Sequence, residues 1–149
     1  MTDPDFSDPF LAPEQPSGFQ RMMGYRIADW RDGHAELIMP LRPHHLNRAG
    51  VVHGGVLVSL IDTACGFAGT WCPVPGNTRK AVTLSLTTSF LSQARHGTLR
   101  AVAESRGGGR KIFTATAEIL DEHGTLIALG QGTFRYRSGS EAAEGVPVA

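Results

Sequence analysis

The sequence predicts an α+β domain in which a curved antiparallel sheet wraps around one long helix. Three observations carry this reading. One helical period runs from about Gly54 to Trp71. Four alternating segments follow between Lys80 and Arg137, separated by glycine-bearing turns. A strand pair precedes the helix. One helix cannot cover both faces of so large a sheet, so a sheet curled around it is the economical way to bury both apolar surfaces.

Residues 1–17 carry Pro4, Pro9, Pro13 and Pro16 among acidic and small residues, and read as a flexible N-terminal arm. Phe10 and Leu11 are its apolar piece, able to dock. Residues 18–24 suit a short helical turn. Tyr25 to Arg31 and His34 to Pro40 read as strands around the turn Arg31-Asp32-Gly33. Residues 41–53 form a polar loop with Pro43, His44, His45 and His53. In the helix, Leu57, Leu60, Ile61, Ala64 and Ala68 recur at three- and four-residue steps, and Cys72-Pro73-Val74-Pro75-Gly76-Asn77 stops it.

The next strand, about Lys80–Gln93, should place Val82, Leu84, Leu86, Thr88 and Phe90 on one face. Thr83, Ser85, Thr87 and Ser89 should lie on the other. Gly97 turns into Thr98–Ser105, and Gly107-Gly108-Gly109 turns into Arg110–Leu120. Asp121-Glu122-His123-Gly124 turns into Thr125–Arg137. The folded domain is then 18–138, with 139–149 as a mobile C-terminal tail of small and polar residues. There are no internal repeats.

A chain of 149 residues is long enough to bury a core. Its formal net charge of zero favours neither nucleic acid nor an anionic membrane surface, and gives little protection against self-association. No apolar run approaches the ~20 residues of a membrane span. The N-terminus lacks the basic-then-apolar pattern of a signal peptide. If the helix carries both Cys65 and Cys72, they lie ~10 Å apart along its axis, too far for a disulfide. Small apolar thiols in a reducing cytoplasm are the expectation.

The helix carries a second stripe of Ser59, Asp62, Thr63, Gly66 and Thr70. A solvated face would ordinarily explain it, but Asp62 is the one charge in the helix and the others are small. A face covered by another protein surface fits better. It would leave Asp62 in a partly dry pocket, where burial raises a carboxyl's pKa and makes it a general-base candidate. Gly54 and Gly55 sit at the helix start, where the first N–H groups lack internal partners and the dipole favours negative charge. Without Cβ atoms a ligand can approach closely, which makes this an oxyanion-hole candidate. Gly54 and Asp62 are ~12 Å apart along the axis. Both cannot reach one carbonyl from one helix. Gly54 of one subunit should therefore meet Asp62 of another, in an isologous dimer with two shared sites.

The other candidates are weaker. His44, His45 and His53 match no zinc spacing, so no metal is expected. His34, His96 and His123 fall at turns and read as surface residues. There is no Gly-x-Ser-x-Gly elbow, and neither cysteine has a nucleophile's setting. Trp30 and Trp71 read as core or interface packing rather than stacking platforms, and Phe19, Met22 and Met23 as core packing, with the lining of an acyl pocket as the alternative.

The pattern Asn47-x-x-Gly50-x-x-His53-Gly54-Gly55, followed by Leu60-x-Asp62-x-Ala64, resembles the PaaI-like hotdog-fold acyl-CoA thioesterases of the phenylacetate pathway. The likeness runs from about Met22 to Tyr136. It takes in the strand from Val82 to Leu91, the Gly97 turn, the basic glycine turn before Ile112 and the closing segment from Ile127 to Thr133.

The resemblance implies a hotdog fold and a thioester hydrolase that needs no cofactor, its substrate an acyl-CoA. Asp62 matches the catalytic carboxylate, general base or nucleophile. Gly54 matches the backbone donor to the thioester carbonyl. Asn47 and His53 match loop residues that orient the thioester or water, and Thr83 a hydroxyl near the carboxylate. Gly55, Arg106, Gly107, Gly108, Gly109, Arg110 and Lys111 resemble CoA-binding positions, and phosphates there would need cations or free N–H groups. A solvent-exposed hairpin turn explains the segment from Arg106 to Lys111 equally well. The resemblance also implies a homodimer, and in many members a dimer of dimers. The alternative is a non-catalytic acyl-CoA-binding or regulatory protein on the same fold. A hotdog dehydratase would need a differently placed His and a carboxylate of its own, and the sequence shows no such pattern.

Overall fold

The computed structural model describes residues 15–148. Helix α1 (Gly18–Met23) starts on Ser17, whose side chain accepts from Gln20 N–H, and ends on Gly24 in the left-handed region. Strands β1 (Arg26–Arg31) and β2 (His34–Pro40) form a hairpin, and a 3₁₀ turn spans Pro43–His45. Helix α2 (Gly54–Thr70) follows, then a short strand β3 (Asn77–Thr78), the long strands β4 (Ala81–Phe90), β5 (Thr98–Gly108), β6 (Ile112–Leu120) and β7 (Leu126–Tyr136), and β8 (Val146–Pro147). Six strands form one antiparallel sheet in the order β1-β2-β5-β6-β7-β4. This is the hotdog arrangement that the sequence leads one to expect.

The inner face of the sheet is built to receive α2. Ala35, Ala101, Ala103, Ala115 and Ala117 keep it shallow, while Leu37, Met39, Leu99, Phe113, Ile119 and Phe134 fill around the helix. Leu57, Leu60, Ile61, Ala64, Cys65 and Ala68 are the helix residues buried against it, the apolar stripe read from the sequence. Two side chains hold the last helical turns. Trp30 Nε1 donates to Phe67 O at 2.8 Å, and Tyr136 Oη donates to Gly69 O at 2.5 Å. Gly69 is needed there, because a Cβ would fall 2.0 Å from the Phe113 ring.

Four expectations are corrected. First, β4 does not alternate regularly. Thr83 pairs with Phe134 and Ser85 with Thr133, so Leu84 is an extra residue, a β-bulge. The bulge exchanges the faces: Thr83 turns toward α2, and beyond it Leu86, Thr88 and Phe90 do. Second, the segment after Ser138 is held, though its composition suggested a mobile tail. Val146–Pro147 pairs with Asn77–Thr78, Ser140 is buried, and Arg79 donates to the carbonyls of Ser140 and Glu141. Third, Gly107 and Gly108 belong to β5, and the turn is confined to residues 109–111. A Cβ on Gly108 would meet Ile112 O at 2.3 Å, so glycine lets the two strands close. Fourth, His34 is buried and faces carboxylates. The helix also ends before Cys72, which is half-buried and donates to Glu144 O, while Cys65 is fully buried. The arm at 1–14, with Phe10 and Leu11, lies outside the described residues.

Candidate active site

The two chemical elements of the site stand at different points along α2. At its start, the His53 side chain is the N-cap: Nδ1 accepts from Gly55 N–H at 2.8 Å. Val56 and Leu57 N–H both turn back to His53 O. Gly54 N–H has no hydrogen-bond partner among the described residues. The ring of Phe90 lies 3.4 Å from where a Gly54 Cβ would sit.

The preceding loop is built by Asn47. Its Oδ1 accepts from Ala49 N–H at 2.9 Å and Val51 N–H at 3.3 Å, leaving its amide NH₂ outward. Arg95 clasps the same loop through the carbonyls of Ala49 and Gly50. Underneath, His45 is fully buried, accepting from Arg42 N–H on Nδ1 and donating to Met23 O from Nε2. Burial pushes its pKa down, against the opposing pull of the Met23 carbonyl.

Two turns along the helix, Asp62 is half-buried and Oδ1 accepts from Thr83 Oγ1 at 2.7 Å. The Leu84 bulge makes this contact possible, since regular alternation would aim Thr83 away. Asp62, Thr63, Gly66, Phe67, Thr70, Arg79, Ala81, Thr83 and Phe134 line a cleft of about 200 Å³. A neighbouring cleft of about 220 Å³ shares Thr63, Phe67, Thr70 and Arg79 and adds Tyr25 and Trp30. Burial raises the Tyr25 pKa, a hydrogen bond with Thr63 lowers it, and the Asp62 charge raises it further. The Cys65 thiol is pushed up to about 12, first by burial and then by Asp62, so it is no nucleophile at neutral pH.

Sequence reasoning missed Arg79 and Phe134 at this cleft. Arg79 is fixed by the carbonyls of Ser140 and Glu141 and lies 4.0 Å from the centre of the Tyr136 ring. Nothing local in the sequence announces a contact some sixty residues away.

The structure thus brings Asp62 and Thr83 together, and His53, Gly54 and Gly55 together as a separate group, with Asn47 folding the loop that precedes them. The basic segment joins neither. Arg106 donates to Thr116 Oγ1 and lines a groove of about 510 Å³ formed by strand residues such as Thr87, Glu104 and Glu118. Neither Asp62 nor Gly54 lines that groove. Arg110 and Lys111 sit at the β5–β6 turn. Their charge helps hold the Glu141 carboxyl low, after its backbone hydrogen bonds.

One feature links the two groups. Strand β4 is one of the two edge strands of the sheet, and it runs from Thr83 beside Asp62 to Phe90 beside Gly54. It also exposes Val82 (42%), Leu84 (54%), Phe90 (55%) and, just beyond, Leu91 (52%). Among the described residues the outer side of β4 has no partner strand, and an edge of that kind offers N–H and C=O groups beside its apolar side chains.

Comparison with known proteins identifies the family and the fold. The family model of the thioesterase superfamily matches residues 49–128. The acyl-coenzyme A thioesterase PaaI of Escherichia coli is 30% identical over 125 residues, which is 83% of this chain and 86% of that protein. Among solved structures, a conserved Pseudomonas aeruginosa protein, PA5202, aligns with a TM-score of 0.73 at 32% identity, covering 82% of this chain and 95% of that one. The thioesterase HI1161 of Haemophilus influenzae aligns with a TM-score of 0.71 at 28% identity, over 80% and 82%.

Proposed function

Because the chain belongs to the thioesterase superfamily, we propose that it hydrolyses an acyl-CoA thioester at sites shared between two copies of itself. The family match and the PaaI likeness support a thioester hydrolase. The CoA substrate, the residue roles and the dimer are this proposal's own steps.

The observation that carries it is the polarity of β4. An antiparallel pairing of this edge with its two-fold copy sets the Phe90 end of one strand against the Thr83 end of the other. That brings the free Gly54 N–H of one subunit toward Asp62 of its partner. The covered edge also removes water from around Asp62.

In such a site Asp62 takes a proton from water, and the resulting hydroxide adds to the thioester carbonyl. The oxygen, now negative, rests on Gly54 N–H, aided by the dipole of α2. The C–S bond then breaks, and the CoA thiolate leaves with the proton returned by Asp62. Thr83 holds the carboxylate by donating to Oδ1, leaving Oδ2 toward the water. To the amide of Asn47 and Nε2 of His53 we assign the orienting of substrate or water. Asp62 acting as nucleophile would use the same geometry and pass through an anhydride. In single-turnover hydrolysis in ¹⁸O water, label appearing in Asp62 establishes the anhydride path, since general-base catalysis never labels Asp62.

On this reading the protein works without a cofactor, as a dimer or a dimer of dimers in the cytoplasm. None of the described helices is long and apolar enough to cross a membrane. The test is release of free CoA from a panel of aromatic, medium-chain and hydroxylated acyl-CoAs, with solution mass measured on the same sample. Binding without turnover across the panel, or a fully active monomer, contradicts the proposal.

A further inference from the structure

We propose that Asp29, His34 and Glu36 form a binding site for a divalent metal ion of the zinc type, with Glu104 as the carboxylate that orients His34. The site lies on the opposite face of the sheet from α2. Ala35 and Leu37, which flank Glu36, are fully buried in the core, so His34 and Glu36 point the other way.

The strand register assembles it. Asp29 pairs directly with Glu36 across the β1–β2 hairpin, after a register shift between Ile27 and Asp29. His34 lies two residues before Glu36 on the same face, and it pairs with Glu104 on β5.

The imidazole shows why a cation belongs there. Nδ1 lies 2.7 Å from Glu104 Oε1, a carboxylate acceptor, so Nδ1 carries the proton. In the neutral ring Nε2 then presents a lone pair. The side chain is only 7% exposed, and Nε2 has no hydrogen-bond partner among the described residues. It faces Asp29 Oδ2 and Glu36 Oε1, each at 3.5 Å.

Three acceptors thus converge, the His34 nitrogen buried and the Asp29 and Glu36 side chains 42% and 24% exposed. A proton on Nε2 would leave N···O separations too long for good hydrogen bonds. A zinc ion at its usual ~2.0–2.2 Å from N and O ligands spans donors about 3.4 Å apart in a tetrahedron, which the two 3.5 Å separations match. All three donor atoms lie within 4.8 Å of one another.

The carboxylate–histidine–metal arrangement is completed by Glu104. Two arginines offset part of the acidic charge. Arg31 Nε is 3.2 Å from Asp29 Oδ2 on a side chain 64% exposed, and Arg100 is 4.0 Å from the outer oxygen of Glu36. Against three carboxylates they leave one negative charge unbalanced, as a metal site requires. Three protein ligands leave the fourth position to water. The expectation that the chain binds no metal considered only His44, His45 and His53, and did not anticipate residues joined through β1, β2 and β5.

The test is titration of the chelator-treated full-length protein with Co²⁺, followed by its visible bands, and with Zn²⁺ by calorimetry. One ion per chain with tetrahedral Co²⁺ bands is expected. His34→Ala and Glu36→Gln should abolish binding, and Glu104→Gln should weaken it 10- to 100-fold. Asp62→Ala should leave it unchanged. If His34→Ala does not fold, Glu36→Gln and Asp29→Asn decide the matter. Wild-type protein without tetrahedral bands, equal binding by the Asp29, His34 and Glu36 variants, or a His34 ring shown by ¹⁵N spectra to stay doubly protonated in the presence of Zn²⁺, would each overturn the site.

Discussion

The start of α2 and its middle differ in what they are made of. At the start, the useful group is a backbone N–H at Gly54, presented by a capping histidine and a loop folded on Asn47. In the middle it is a side chain, Asp62, held by another side chain, Thr83. The first region depends on how the chain enters the helix. The second depends on the register of β4 at the Leu84 bulge. A side-chain substitution can erase the second directly, whereas the first responds only to changes that remove or misplace the amide.

Substitutions should separate the two. The largest effect belongs to Asp62. Asp62→Ala should lower kcat about 10²- to 10⁴-fold, the contribution of a positioned acid–base group, with the fold intact by circular dichroism. Steady-state CoA release with unchanged kcat would remove Asp62 from the mechanism.

Next comes Gly54→Pro. Gly54 is the first helical residue, where proline is accommodated and the lost N–H has no helical partner. His53 already has φ −67° and ψ 137°, which suits a residue before proline. Loss of that single donor should cost about 10²- to 10³-fold in kcat while thermal stability changes little. Gly54→Ala keeps the N–H and meets only the Phe90 ring, so it should retain most activity.

Thr83→Val removes the hydrogen bond to Asp62. A hydrogen bond to a charged group, ~1.5–3 kcal/mol, corresponds to a fall in kcat of roughly tenfold or more, with KM little changed. An equal loss in kcat and stability would make Thr83 a packing residue.

The smallest effect is on stability and concerns the loop side alone. His45 is buried neutral, its pKa depressed below the ordinary 6.5 by burial. The unfolded chain therefore takes up this proton first. The stability it confers is complete above about 6.5 and is lost as pH falls below that value toward the folded pKa. Thermal melts from pH 7.5 to 5 should show this slope, and His45→Gln should flatten it. An unchanged slope would detach the loop from His45.

The same comparison separates what was legible in the sequence from what was not. The apolar stripe of α2 and the alternation in β5, β6 and β7 were readable, because both periods come from burying one face of a regular element. Gly54 and Asp62 stood out by chemistry, and their spacing alone raised the need for a second subunit. The pairing of Thr83 with Asp62 came from a family likeness, and strict alternation argued against it, since a bulge has no signature in Val82-Thr83-Leu84-Ser85. The held tail and the burial of His34 escaped for a related reason. Both are made by contacts between distant strands, and a polar composition reads as solvent-exposed until its partners are placed.

The central claim is that each site takes Gly54 from one chain and Asp62 from the other. Mixing Asp62→Ala with Gly54→Pro, after dissociation and reassembly, tests it most directly. In a mixed dimer one site carries both lesions and the other carries neither. With random pairing, half the dimers are mixed, so about one quarter of wild-type activity should return from two inactive parents. Activity no greater than that of the separate parents, in a sample shown to contain mixed dimers, would contradict the shared site.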